Sequence, residues 1–447
     1  MTRPLVRDIL RLAWPVYIAQ IAIMANGVID TVMAGRYGTV DLAAVGIGSS
    51  VYVTLFVTLM GILFALTPAV AQLHGAGRYA EIGEEVRQSA WLALGLAAIS
   101  IVLVTHPGPL LALSELTPEV EAKTRAYLDA IAWAVPATLL SRVFQGFSTA
   151  VSRPRVVMAL NLFGLALKVP LNWVLIHGQL GFPELGAAGC AVATAVSAWA
   201  TCAAAWWWCA TRREYARYGV FARWSWPRAA AQRALLALGL PIGAVFFVDV
   251  TAFTFMALFI ARFGAEYSGA HQIAANLTAL AFMLPLAIGN AASVLVAQSI
   301  GAAEPARARA TGIAGIAVSL GCGLAVGAGI FLAAGPIVGL YTNDPGVERI
   351  AAGLLAFVAV YHVFDAVQAA AVQALRGYRR AAVPMIIYGV ALWGLALGGG
   401  YALGIGGVGV AAPMAARGFW LAAVVGMTLT AALVSAYFLR VSRAPSS

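Results

Sequence analysis

Apolar runs of roughly bilayer length recur from one end of the chain to the other, and no other feature restricts the possible folds so strongly. Reading hydropathy along the sequence gives twelve candidate spans, at about 12–33, 43–70, 89–110, 125–150, 156–177, 187–209, 234–259, 270–298, 310–335, 350–374, 382–403 and 413–438. Hydrophobic residues make up 62% and charged residues 10% of the 447, whereas soluble domains hold roughly 45–50% apolar residues. A water-soluble fold is therefore excluded. An outer-membrane barrel is excluded too, since its strands are about 10 residues of alternating polarity. Helices are the remaining way to satisfy a backbone in lipid. Arg3, Arg7 and Arg11 precede the first run as they would in a signal peptide, but that run is longer than a signal's apolar core and reads as a retained helix.

The net charge of +10 follows the loops. Arg78, Arg153, Arg155, Arg307, Arg309, Arg376, Arg379 and Arg380 fall in joints of one parity, and the central joint adds Arg212, Arg213, Arg217, Arg223, Arg228 and Arg233. Joints of the other parity hold acids instead: Asp41, Glu115, Glu119, Glu121, Glu184, Glu266, Asp344 and Glu348. The positive-inside rule then places both termini in the cytoplasm, in a bacterial-type inner membrane. No continuous basic face with stacking aromatics exists, so nucleic acid is not expected as a partner. Cys190, Cys202, Cys209 and Cys322 all lie in apolar segments without metal-ligand spacing.

The chain repeats itself. A single ungapped offset pairs Leu12 with Leu238, Pro15 with Pro241, Arg36 with Arg262, Gly38 with Gly264, and Ala71-Gln72 with Ala297-Gln298. Six spans separate the copies, so both halves enter the membrane in one direction and are related by an axis along its normal. The expected architecture is all-α: twelve transmembrane helices in two homologous six-helix lobes, an N-lobe at 1–210, a cytoplasmic linker at 211–233 and a C-lobe at 234–447. The linker reads as a solvated loop.

Ionised groups inside a span cost at least about 2.5–3.5 kcal/mol. Asp30, Asp249 and Asp365 sit well inside predicted spans, with Lys168 as the one base. Tyr361, Asp365 and Gln368 share one helix face, as do Lys168 and Asn172. Pro170, between the last two, is expected to open the helical ladder; Pro15, Pro136, Pro241, Pro285 and Pro384 are candidate bends.

The segments Val28–Gly35, Leu42–Val45, Pro170–Trp173, Ala270–Gln272 and Leu375–Tyr378, in this order, resemble multidrug and toxic compound extrusion (MATE) transporters, most closely the NorM-like branch. The resemblance covers essentially the whole chain. It implies a two-lobed antiporter, not an enzyme, that exports small cationic amphipathic drugs in exchange for Na+ or H+ by rocker-switch alternating access, as a monomer and without a cofactor. It places the family's coupling acids on Asp30 and Asp365, its tyrosine on Tyr361, an aromatic beside the cation site on Phe282, and its helix 7 acid, commonly glutamate, on Asp249. Lys168 stands where asparagine is usual. If Lys168 faces Asp30, the pair attracts by about 4 kcal/mol at about 4 Å and an effective dielectric of about 20, which disfavours a cation there. The coupling ion is then expected at Asp249, Asp365 and Tyr361, with any Na+ between the two acids, while Asp30, Lys168 and Asn172 form a separate polar site. Gln368 and Phe282 are the substrate-facing candidates. A flippase for lipid-linked sugars shares the two-lobed plan but would need more positive charge in its cleft. No HExxH, GxSxG or Walker-type sequence supports an enzyme.

Overall fold

The computed structural model describes residues 3–108, 116–407 and 412–443; Glu115 lies outside them. Eleven helical segments among the described residues are long and apolar enough to span a bilayer, one of them, Thr39–Gly75, interrupted by a turn at Phe64 and Ala65. They are α1 Arg3–Tyr37, α2 Thr39–Gly75, α3 Tyr79–Thr105, α5 Pro154–His177, α6 Ala187–Thr211, α7 Ala229–Ala261, α8 Ala265–Gly301, α9 Pro305–Leu332, α10 Pro345–Gly377, α11 Ala382–Gly404 and α12 Ala416–Val441. The fourth span, α4, is two pieces, Pro118–Ala132 and Ala134–Ala150, joined by a tighter turn at Trp133. The described residues are thus all-helical, an arrangement consistent with twelve spans.

Helices outrun the apolar windows because lipid is not their only support. α1 begins nine residues before the hydropathic run, with Ile9 and Ala13 packed against Ile288, Ala291 and Ala314. The prolines divide into two kinds. Pro118, Pro154, Pro305 and Pro345 occupy first turns, where a missing N–H costs nothing. Pro384 also lies in the opening turn of its helical piece and so is not a mid-span bend, whereas Pro136 follows the break at Trp133 in the middle of α4, where its missing N–H leaves the Ala132 carbonyl without its helical donor. Pro15, Pro170, Pro241 and Pro285 are interior, yet their helices continue through them. In α11 the glycine-rich stretch Val390–Gly398 widens into π turns, and Gly400 lies so close to Phe419 of α12 that a Cβ would fall 2.5 Å from its ring. Large apolar side chains such as Val102, Leu258, Phe331 and Val390 point outward, as lipid-facing residues do.

The chain divides into two compact units, Ile18–Gly243 and a second made of Met1–Tyr17 with Ala244–Ser447. In the first, α5 packs on α6, both pieces of α4 pack on α6, and α2 packs on α4. The opening turns of α7 also belong there: Gly239 and Gly243 lie against the carbonyls of Ile62 and Thr58. In the second, α10 is central, packed by α8, α9 and α12, with α11 against α12.

The segment after α6 is exposed over most of its length, yet it is fastened to the helices beside it. A short helix, Arg213–Ala216, buries Tyr215, whose hydroxyl lies 2.6 Å from Ser148 Oγ and whose phenol is pushed up to about 12, chiefly by burial. Farther on, Arg87 of α3 donates to the carbonyls of Gly219 and Val220 at 2.8 and 2.9 Å, Trp91 donates to Ser225 O at 2.9 Å, and Gln88 both donates to Trp226 O and accepts from Arg228 N. Gly83 makes this approach possible, because a Cβ there would fall 2.2 Å from Tyr218 O. Gly83→Ala is therefore expected to destabilise the protein by about 1–3 kcal/mol, seen as a lower midpoint in thermal unfolding; an unchanged midpoint would remove the close-approach argument.

Asp41 is not a solvated loop acid. It lies in the first turn of α2, buried, with Lys123 Nζ 2.7 Å from Oδ2 and the Ala187 N–H donating to Oδ1 at 2.7 Å. Its carboxylate caps the start of α6, where the helix dipole favours negative charge.

Candidate functional site

Each unit holds its own polar site. In the first unit, Asp30 is on α1 and Lys168 and Asn172 are one turn apart on α5. Lys168 Nζ is 2.7 Å from Asp30 Oδ2, and Asn172 Nδ2 donates to Asp30 Oδ1 at 2.8 Å. Lys168 is only 2% exposed and Asp30 7%. The ammonium also reaches the Asn26 carbonyl at 3.4 Å. Cys190 of α6 lies beside the Asp30 backbone, with its sulfur 4.0 Å from the carbonyl oxygen. A charge that would be prohibitive alone in this setting is matched within hydrogen-bond distance, and both carboxylate oxygens are occupied.

In the second unit, α7 carries Asp249, α10 carries Tyr361 and Asp365, and α11 supplies a residue that hydropathy could not single out. The Tyr388 hydroxyl donates to Asp249 Oδ1 at 2.6 Å. Tyr388, Tyr361 and Asp365 are buried, while Asp249 is half-buried. The Tyr361 ring stands nearly perpendicular to those of Phe253 and Trp420, at centroid distances of 6.5 and 6.1 Å. Asp249 reaches Tyr388, and Tyr388 belongs to the same buried cluster as Tyr361, one turn before Asp365. Among the described ion pairs neither acid has a basic partner.

The two sites thus differ in kind. One acid in the first unit already has its cation within the protein. Two acids in the second unit have a hydroxyl, a neighbouring tyrosine and, among the described residues, no base in ion-pair contact. Two carboxylates so arranged attract a proton or a small monovalent cation, which removes their mutual repulsion and can be ligated by carboxylate and phenol oxygens. His362, adjacent to Tyr361, is fully buried with neither ring nitrogen hydrogen-bonded. Gln368 is buried one turn beyond Asp365. Phe282 is half-buried on α8, without a ring contact to Tyr361 among the described contacts. Groups of three or more His, Cys, Asp or Glu arranged for a metal are absent among the described residues.

The MatE family model matches residues 15–174 and 241–402. A probable multidrug resistance protein NorM from Aromatoleum aromaticum is 44% identical over 429 residues, covering 96% of this chain and 92% of that protein. The multidrug resistance protein PmpM of Pseudomonas aeruginosa is 38% identical over 438 residues, covering 98% and 92%. The Vibrio cholerae MATE transporter VcmN, in its bent form, superimposes with a TM-score of 0.85 over 98% of each chain at 19% identity, a likeness of fold.

Proposed function

The chain belongs to the MatE family, and we propose from this that it is a multidrug efflux transporter that exports cationic amphipathic compounds in exchange for Na+ or H+. The observation that carries the coupling assignment is the contrast between the sites: Lys168 neutralises Asp30, whereas Asp249 and Asp365 have no base in ion-pair contact among the described residues. The coupling ion is read as binding Asp249 and Asp365, with Tyr361 and Tyr388 as hydroxyl neighbours. Asp30, Lys168 and Asn172 are read as a position whose charge is permanently balanced.

Ion and drug need not bind together. Antiport follows if the ion at the two acids favours one conformation and a cationic drug the other, because linkage requires only different affinities in the two states. One charge crossing about 100 mV releases about 2.3 kcal/mol, roughly a fifty-fold concentration ratio. Drug recognition is read as stacking and cation-π contact with aromatic side chains, worth about 0.5–2 kcal/mol each and tolerant of shape; Phe282 and Gln368 are the candidates. In this reading the halves 1–210 and 234–447 alternate between inward- and outward-open arrangements in an inner membrane, with both termini cytoplasmic.

Ethidium efflux from cells expressing the protein tests the reading. Efflux is expected to exceed that of empty-vector cells, and to collapse either on removal of the Na+ gradient or on addition of a protonophore, which identifies the ion. Efflux that equals the empty-vector rate under every gradient would overturn it.

A further inference from the structure

The segment between α6 and α7 carries charge and aromatic surface that the transport reading does not use. Its residues Trp224 and Trp226 are 71% and 70% exposed, although both rings are fixed: Trp226 stacks on Trp91 at 6.0 Å, and Trp224 meets Trp91 edge-on at 5.7 Å. Trp91 opens the apolar run of α3, so it marks the depth at which that helix leaves the polar region. A second helix gives the same registration. Trp206, in the last turns of α6, meets Phe221 edge-on at 6.1 Å, and Phe221 is also exposed. Two spans therefore hold three exposed aromatic rings of this segment at the boundary between hydrocarbon and headgroups, the depth at which tryptophan is enriched.

The charge beside these rings is unbalanced. The Glu84 carboxylate is met by Arg87 at 2.7 Å, Arg228 at 3.1 Å and Arg223 at 3.4 Å, and it also accepts from Gln88 at 2.9 Å. Four donors occupy the roughly four lone-pair directions of one carboxylate. One negative charge thus faces three guanidiniums, and the side chains of Arg223 and Arg228 remain 68% and 63% exposed. A guanidinium has five N–H donors and matches the geometry of a phosphate, so both arginines retain donors for an anion.

We propose that residues 221–228, held on α3, form an interfacial binding site for anionic phospholipid: Phe221, Trp224 and Trp226 enter the headgroup boundary and Arg223 and Arg228 receive the phosphate. The occupant is lipid rather than a soluble partner because the aromatic rings are registered to membrane depth by two spanning helices. The inference rests on the membrane-spanning placement of α3 and α6 and is independent of what the protein transports.

The test is thermal unfolding of the purified full-length protein in detergent, followed by a thiol-reactive dye that reports exposure of the buried Cys190, Cys202 and Cys209. Phosphatidylglycerol is expected to raise the midpoint by at least about 2 °C more than phosphatidylcholine of the same acyl chains. Arg223→Gln/Arg228→Gln is expected to abolish that increment. Arg213→Gln/Arg233→Gln, which removes the same charge elsewhere on the segment, is expected to keep it. Because each variant is compared with itself in the two lipids, a lowered baseline midpoint does not obscure the result. An increment unchanged in the first variant, lost equally in both, or reproduced by inorganic phosphate in phosphatidylcholine would overturn the proposal. Ethidium efflux is scored separately, so a failed transport reading leaves this outcome legible.

Discussion

Asp365→Asn is expected to abolish ion-driven ethidium efflux while leaving the protein as stable as its parent, or more so. The side chain is 4% exposed on α10 and has no base within ion-pair distance among the described residues. An amide fills the same volume but cannot acquire a charge, so it removes the ion's preference for one conformation without opening a cavity. Coupling free energies between sites are typically about 1–3 kcal/mol, or about 5- to 150-fold; export above the uncoupled leak should fall by that order. Asp249→Asn should do the same, because the Tyr388 hydroxyl that donates to Asp249 at 2.6 Å can donate equally to an amide oxygen. The measurement is initial efflux rate with an imposed gradient, alongside a thermal midpoint. Undiminished, gradient-dependent efflux in the Asp249→Asn/Asp365→Asn double variant would refute the assignment of the coupling site.

The second large effect is on stability. Lys168→Met leaves Asp30 buried and unpaired, and breaking a buried pair from one side costs about 3–5 kcal/mol. The variant should show a sharply lowered midpoint or fail to accumulate in the membrane. Adding Asp30→Asn to it should restore most of the loss, since replacing both partners by neutral groups of similar volume is often neutral or stabilising. The double variant also separates the roles of the two units: its efflux should remain gradient-dependent if the coupling ion binds only in the second unit. A Lys168→Met protein as stable as its parent would mean that the 2.7 Å contact carries no net energy.

Much of this was legible in the sequence, for a reason particular to membrane proteins. Lipid makes every charge conspicuous, so Asp30, Lys168, Asp249 and Asp365 stood out from their neighbours, and helical spacing alone put Lys168 with Asn172 and Tyr361 with Asp365 on common faces. Residues whose chemistry tolerates lipid gave no such signal. Tyr388 sits in an apolar run and is separated from Asp249 by 139 positions, so only the packing of α11 beside α7 connects them. Pattern also misjudged groups at span ends. Asp41 read as a loop acid because its polar partners, Lys123 and the Ala187 amide, are 82 and 146 residues away. The segment after α6 read as solvated because of its six arginines, and most of its side chains are indeed exposed; what the pattern did not show is that Arg87, Gln88 and Trp91 draw its backbone onto α3. The wide turns of α11 change hydrogen bonding without changing hydropathy and so left no trace, whereas the break at Trp133 is signalled by Pro136.

The division after Tyr17 and after Gly243 falls within α1 and within α7, two residues beyond Pro15 and Pro241 respectively. Neither repeat is consequently self-contained: each lends its opening arm to the other, as exchanged segments do in a domain-swapped dimer. A single copy of this unit would leave that arm without its native packing.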